Sequence, residues 1–330
     1  MNLRLFALFL SFLVASSACT EEKPILSKVT KPGKSNTLKT IPPFDGKYAF
    51  SVVEKQVSFG PRVPNTKSHL QCKEYLIAEL SLYADTIIIQ SFEDNIEDEK
   101  VQLFNIIARF NGDDQSKVLL LGAHWDSRPL ADEDPIPAKA SKSFDAANDG
   151  GSGVGVLVSL AKSLKAEKPP TTIDIVLFDG EDLGLHGSYE YFCRGSKYYA
   201  QHLSPLHRPT TVIILDLVGD KEAQFSIEGN SNRSAPNIVR KLWEIGTEVG
   251  NGTFVNQIGN DIYDDHIPFI EIGIPSVDII DSELVGNRAF NKRRRYWHTS
   301  NDTMVNIGES TLEGVGKTIL TFIYHHFHTF

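Results

Sequence analysis

The spacing of apolar residues changes several times along the chain. Residues 5–14 form a mainly apolar run, and residues 20–43 then hold few large apolar side chains among Lys, Pro, Ser and Thr, the pattern of a flexible tether. From Phe44 the apolar positions fall at helical spacing. Tyr48, Val52, Val53 and Val57 predict a helix over 44–57 that breaks at Gly60-Pro61, and Leu70, Tyr75, Leu76, Leu80 and Leu82 predict a second over 68–83. At Thr86 the period shortens. Segments 86–92, 101–110 and 118–122 read as strands, and the last two are joined through Asn111-Gly112, a hairpin signal. A helix with small residues in its first turns, 151–165, precedes a β-branched apolar run at 173–178. A buried strand at 212–217, a helix at 235–249, a short strand at 276–280 and a closing helix at 310–327 follow. Strands alternating with helices after an opening hairpin predict an α/β fold: a mixed, mostly parallel central sheet with helices on both faces. No internal repeat and no second complete alternation is present, so 44–330 reads as one domain.

The first residues carry an address. Arg4 and the apolar stretch 5–14 have the layout of a signal peptide, and Ala15-Ser16-Ser17-Ala18-Cys19 resembles the lipobox of bacterial lipoproteins, in which the Cys is lipidated after cleavage. The expected organisation is a signal peptide at 1–18 and a lipidated Cys19 with its tether at 19–43. This makes the protein an exported, membrane-anchored lipoprotein of the bacterial cell envelope, facing the periplasm or the surface. Ordinary secretory cleavage at the same small residues is the alternative, and either route exports the chain. No later run is apolar for long enough to span a membrane. A formal net charge of −9 argues against nucleic acid as a partner. Export permits a disulfide between Cys72 and Cys193, and two buried free thiols read equally well. Nothing suggests an oligomer, so a monomer is expected.

Candidate chemistry gathers where the predicted strands stop. The run 173–178 ends on Asp179-Gly180-Glu181-Asp182. Ligands in open α/β sheets collect beyond the carboxyl ends of strands, and two adjacent acids there need a cation or a proton. Four other element ends also carry metal-type residues: His124 before Trp125-Asp126, Asp149 within Asn148-Asp149-Gly150-Gly151, Asp216 after the strand at 212, and His298 after Trp297. Each has an ordinary explanation taken singly, such as a packed histidine or a helix cap. Together, nitrogen and carboxylate donors without thiolate suit a catalytic zinc with open positions.

The ordered set of motifs resembles the zinc aminopeptidase superfamily of the bacterial-leucyl-aminopeptidase type over about 44–330. These are H-x-D at His124, N-D-G-G-S-G at Asn148, G-E-D at Gly180, L-D at Leu215 and W-H-T-x-x-D at Trp297. Within it the chain is more similar to the glutaminyl cyclases, or glutaminyl-peptide cyclotransferases. Asp264-Asp265-His266-Ile267-Pro268-Phe269 is similar to a cyclase segment in which aminopeptidases tend to have Ser for the first Asp. Phe178–Asp182, Leu215–Gly219 and Trp297-His298-Thr299 match further cyclase blocks, and Gly122–Pro129 is similar to the bacterial branch.

The resemblance implies one Zn2+ held by Asp149, Asp182 and His298, with Glu181 as acid/base. Asp216 and Asp264 would form a hydrogen-bonded acid pair, and Trp297 would wall the substrate pocket, with Trp125 a second candidate. The reaction implied is cyclisation of an N-terminal Gln of peptides or proteins to pyroglutamate with release of ammonia. Two positions depart from the animal enzymes: Gly187 stands where they carry a Trp, and Asp278 where they carry a His. The alternative is a dizinc aminopeptidase, in which His124 and Asp216 would hold a second metal. A third reading is an inactive, surface-anchored binding protein. The basic run Asn291–Arg295 invites a nucleic-acid reading, but a solvated loop at the pocket rim is expected.

Overall fold

The computed structural model describes residues 39–96, 99–184, 189–204 and 208–330. The expected signal segment, Cys19, most of the tether and Gly187 lie outside the described residues. Six strands form one sheet in the order β1-β2-β4-β3-β5-β8. Their ranges are β1 Thr86–Ile96, β2 Glu99–Phe110, β3 Asp114–His124, β4 Thr171–Phe178, β5 Thr211–Asp216 and β8 Ser276–Ile280. β1, β2 and β4 pair antiparallel, while β4, β3, β5 and β8 run parallel. The parallel strands carry mainly apolar residues in their covered parts; β4 is buried at every position, its Asp174 paired with Arg109.

Alternation along the strands assigns the two faces. Leu119, Leu121, Ile173, Ile175, Leu177, Ile213 and Leu215 point into the larger core. There they meet α1 (Gly46–Ser58), α2 (Lys67–Ser81), α4 (Gly151–Ala166), α7 (Pro236–Val249) and α9 (Glu309–Thr321). Leu120, Val176, Phe178, Val212 and Ile214 point to the other face, onto Tyr199 and Ala200 of α5 (Arg194–Gln201) and Phe269 of α8 (Ile267–Glu271). Three shorter pieces complete the body: α3 (Pro137–Ala140), α6 (Gly229–Ser234) and a small parallel pair, β6 (Phe225–Ile227) with β7 (Phe254–Ile258). Ahead of α1, Ile41 packs against the larger core and Lys39 pairs with Asp113 at 2.5 Å. Among the described residues no helix is long and apolar enough to cross a membrane.

The expected hairpin at Asn111-Gly112 does not form. β2 pairs with β1 and β4, and β4 lies between β2 and β3. Asp113 and Asp114 donate to the carbonyls of Pro169 and Pro170, so the connection runs alongside the entry to β4. A Cβ at Gly112 would lie 2.0 Å from the Thr171 carbonyl carbon. The glycine there serves a close backbone approach rather than a two-residue turn. The opening hairpin is β1–β2.

Parallel strands bring their carboxyl ends to one edge, and α4 must seat there closely enough to present Asp149. The small residues of its first turns allow this. A Cβ at Gly153 would lie 2.1 Å from the Leu215 carbonyl oxygen and 2.9 Å from the Ala123 Cβ. Gly153→Ala is therefore expected to push α4 off β3 and β5 and to destabilise the protein by about 3 kcal/mol, read from urea denaturation midpoints. A midpoint equal to wild type would show that the helix can shift freely.

Candidate metal centre and acid cluster

Five side chains from five element ends converge at this edge. His298 Nε2 lies 3.4 Å from Asp182 Oδ2 and 3.5 Å from Asp149 Oδ2. On the other side of Asp149, His124 Nε2 lies 3.1 Å from Asp149 Oδ1 and 3.3 Å from Asp216 Oδ1. Donors of a tetrahedral metal with bonds of about 2.0–2.1 Å stand about 3.3–3.4 Å apart, so both sets have ligand spacing. Asp149 Oδ2 and Asp182 Oδ2 are buried and accept no hydrogen bond. Unpartnered buried carboxylate oxygens need a compensating cation, and these two share one focus with an imidazole nitrogen. Burial lowers the basicity of His298, but Asp182, Asp132 and Asp149 overcome it and raise its pKa to about 9. His124 is likewise held well above its ordinary value, by Asp126, Asp149 and Asp216 against burial. A metal would displace those protons. The residues present fit such an ion.

A second layer orients these donors. Asn148 and Asp149 donate their N–H groups to the two oxygens of Asp302, 2.9 and 3.0 Å, at the mouth of α4. Arg128 Nη1 donates to Asp182 Oδ1 at 2.8 Å, which leaves Oδ2 free for the shared focus. The same guanidinium forks onto Asp132, whose Oδ1 lies 3.5 Å from His298 Nδ1. A carboxylate behind a ligating histidine fixes its ring and raises its basicity. Arg62, fully buried, donates to the carbonyls of Trp125, Asp145 and Ala146 and so fastens the His124 and Asp149 loops together. Ala146, Cys193, Leu217 and His298 all have positive φ, between 49° and 57°. Such strain in non-glycine residues clusters at functional sites.

Glu181 stands beside the first donor set. Asp126 accepts the backbone N–H of both Glu181 and Asp182, 3.0 and 3.2 Å, and so sets the direction of the acid pair. The Glu181 carbonyl accepts from Cys193 N at 2.8 Å, and its Oε1 accepts from the Cys193 thiol at 3.4 Å. Burial holds the Glu181 pKa well above its ordinary range, helped by Asp182, Asp264 and Asp265 and opposed by His124. Asp216 is raised to about 7, chiefly by burial. Asp216 and Asp264 stand near each other, and the charge of Asp264 helps to raise the pKa of Asp216. Asp216 Oδ1 accepts from Leu217 N and faces His124, Asp264 Oδ1 accepts from Asp265 N, and Asp264 Oδ2 is buried without a partner. Each carboxyl group turns one oxygen to its own backbone and keeps the other. Behind them Asp278 is fully buried; neither of its oxygens accepts a hydrogen bond, and His266 Nδ1 lies 3.8 Å from Oδ2.

The pocket walls differ from expectation. Trp297, half-buried and stacked on His298, stands at the site. Trp125 does not. It is 0% exposed, stacks on the His69 ring at 4.3 Å and donates Nε1–H to the Phe104 carbonyl. It packs the rear of the β3 end, with His69 bound to both oxygens of Asp179. The aromatic surface that the sequence did not disclose is Tyr263, next to Asp264. Tyr189 stacks on it at 4.4 Å, and the Lys197 ammonium lies 5.4 Å from its ring. Cys72 and Cys193 are buried free thiols.

Residues 105–323 match peptidase family M28. A solved glutaminyl cyclase from Tannerella forsythia superposes with a TM-score of 0.81 at 39% identity, covering 86% of this chain and 99% of that one. A solved Zn-dependent exopeptidase from Parabacteroides distasonis gives a TM-score of 0.81 at 38% identity, covering 87% and 100%. The glutaminyl-peptide cyclotransferase of Dictyostelium discoideum is 26% identical over 96% of each chain. The chain belongs to peptidase family M28, and within that zinc-exopeptidase-like superfamily to the glutaminyl cyclases.

Proposed function

We propose that the protein converts the N-terminal glutamine of peptides to pyroglutamate, releasing ammonia, at one zinc ion held by Asp149 Oδ2, Asp182 Oδ2 and His298 Nε2. The observation that carries this reading is the buried Glu181 carboxyl beside a three-donor set with two unpartnered oxygens, in an acid cluster that includes Asp264. Zinc bound there supplies Lewis-acid polarisation of the γ-amide carbonyl. The residues supply the rest. The substrate α-amine enters a field of carboxyl groups, and the unpartnered Asp264 Oδ2 is an acceptor for its N–H. Glu181 takes a proton from the attacking amine and returns one to the departing γ-nitrogen, so the carboxyl group ends as it began. Burial holds the Glu181 pKa well above its ordinary value, which strengthens the carboxylate as a proton acceptor. Trp297 and Tyr263 flank the aliphatic part of the glutamine and exclude water that would hydrolyse the amide instead. An exported, monomeric lipoprotein anchored through Cys19 completes the reading, and its substrates are then exported peptides.

One observation favours a second reading. His124, Asp149 Oδ1 and Asp216 form another donor set of ligand spacing, as a dizinc aminopeptidase requires. The full-length protein, zinc-loaded and mixed with a Gln-initiated and a Leu-initiated peptide, separates the two by mass spectrometry. Loss of ammonia from the Gln peptide, with the Leu peptide intact, is expected. Release of free leucine, with two zinc ions per chain by elemental analysis, would establish the aminopeptidase.

A further inference from the structure

The segment between β8 and His298 carries Arg288, Lys292, Arg293, Arg294 and Arg295. Two of these cations are neutralised within the fold. Arg294 is buried against Asp281 and reaches Asp220 and Glu283, and Arg293 bridges Asp220 and Glu222 at 3.3 and 3.2 Å. The pairs with Asp220 and Glu222 fasten the loop to the chain that follows β5. The limbs of the loop are also tied to each other. Asn287 Nδ2 donates to the Trp297 carbonyl at 3.3 Å, and Arg295 Nε to the Ala289 carbonyl at 3.0 Å. Left outward are Arg288, Lys292 and Arg295, exposed and without an ion pair among the described residues, with Phe290 96% exposed between them. The run is therefore not a uniformly solvated loop. It is a braced loop that presents three uncompensated cations on a chain of net charge −9.

Its place is set by the strands. The loop leaves the carboxyl end of β8, the edge that bears His124, Asp182 and Asp216, and rejoins the site at Trp297. Arg295 is three residues from His298, so their Cα atoms are at most about 11 Å apart. A peptide whose first residue occupies the site runs outward at about 3.3 Å per residue, so one that leaves past Trp297 brings its next few residues within reach of this loop.

We infer that this loop is a specificity subsite that selects peptides with an acidic residue in the first few positions after the N-terminal glutamine. The inference rests on the cyclase reading above. Fixed cations on a rigid loop attract an acidic side chain at little conformational cost and repel a basic one, and the exposed Phe290 ring offers apolar contact to the same stretch. The carboxylates of the site already receive the substrate amine, so the two ends of the approach carry opposite fields.

The test compares kcat/KM of the full-length enzyme on Gln-Glu-Ala-Ala, Gln-Ala-Glu-Ala, Gln-Ala-Ala-Ala and Gln-Lys-Ala-Ala at low salt. At least one Glu peptide is expected to exceed the neutral one by about five- to tenfold, and the Lys peptide to fall below it. The preference should fade at about 0.5 M salt. The double variant R288A/K292A, which leaves the Arg295 tie to Ala289 in place, should at least halve it while keeping kcat on Gln-Ala-Ala-Ala within about twofold of wild type. Equal cyclisation of all four peptides overturns the inference alone, as does a preference undiminished in the double variant. Failure to cyclise any of the four overturns the cyclase reading and the inference with it. Equal cyclisation together with loop-dependent sedimentation on phosphatidylglycerol vesicles would reassign the loop to anionic lipid.

Discussion

Replacing Glu181 by Gln is expected to lower kcat for glutamine cyclisation by about 10²–10⁴-fold while leaving bound zinc unchanged. The substitution keeps the shape of the side chain and every backbone contact that places it: Asp126 still accepts the residue 181 amide, and Cys193 N still donates to its carbonyl. Arg128 still holds Asp182, and Asp132 still faces His298. Only the capacity to carry a proton is lost. Activity within a few-fold of wild type, with zinc intact, would remove Glu181 from the proton path.

The same variant has a stability signature in the metal-free protein. The folded-state pKa of Glu181 lies well above its ordinary value of 4.5, first because it is buried and then because Asp182, Asp264 and Asp265 surround it. The folded protein thus holds this proton over a pH range in which the unfolded chain has released it. Stability from this group is present below about pH 4.5 and is lost as pH rises through the folded-state pKa. Gln does not titrate, so metal-free Glu181→Gln should lose less stability than wild type between acid and neutral pH. Parallel profiles for the two proteins would show that Glu181 is not the buried acid described here.

What the sequence disclosed follows from what local pattern encodes. Buried parallel strands read as apolar runs, and their polar stops located Asp182, Asp216 and His124 because strand ends are local features. Asp149 and the small-residue start of α4 were legible for the same reason. Partners far apart in sequence were not. The Asn111-Gly112 dipeptide has the composition of a turn, and only the insertion of β4 beside β2 shows that it is a close approach. Trp125 sits beside a metal-type histidine in sequence, yet its side chain points away to His69 on α2. Tyr189 and Tyr263 meet only after β5 and the small sheet have intervened. The thiol of Cys193 reaches Glu181 because a left-handed residue turns the chain there. Arg128 and Asp132 did have a readable four-residue spacing, but which carboxylate and histidine they would serve was not local information.

Asp149 is the residue on which the number of metal ions turns. Its two oxygens face different histidines, Oδ1 towards His124 and Oδ2 towards His298. Asp149→Ala is therefore expected to abolish zinc binding and to lower activity by at least about 10³-fold, whichever reading holds. His124→Ala separates the readings. It leaves Asp149 Oδ2, Asp182 Oδ2 and His298 Nε2 in place, and Arg128 and Asp132 still brace them. With one ion at that set, His124→Ala retains one zinc per chain and cyclises glutamine within about tenfold of wild type. With two ions bridged by Asp149, the same variant drops from two zinc ions to one and loses most of its turnover. Elemental analysis of the two variants beside wild type reads the count directly. A wild-type content of two that falls to one in His124→Ala would move His124 and Asp216 from the acid cluster into the metal shell.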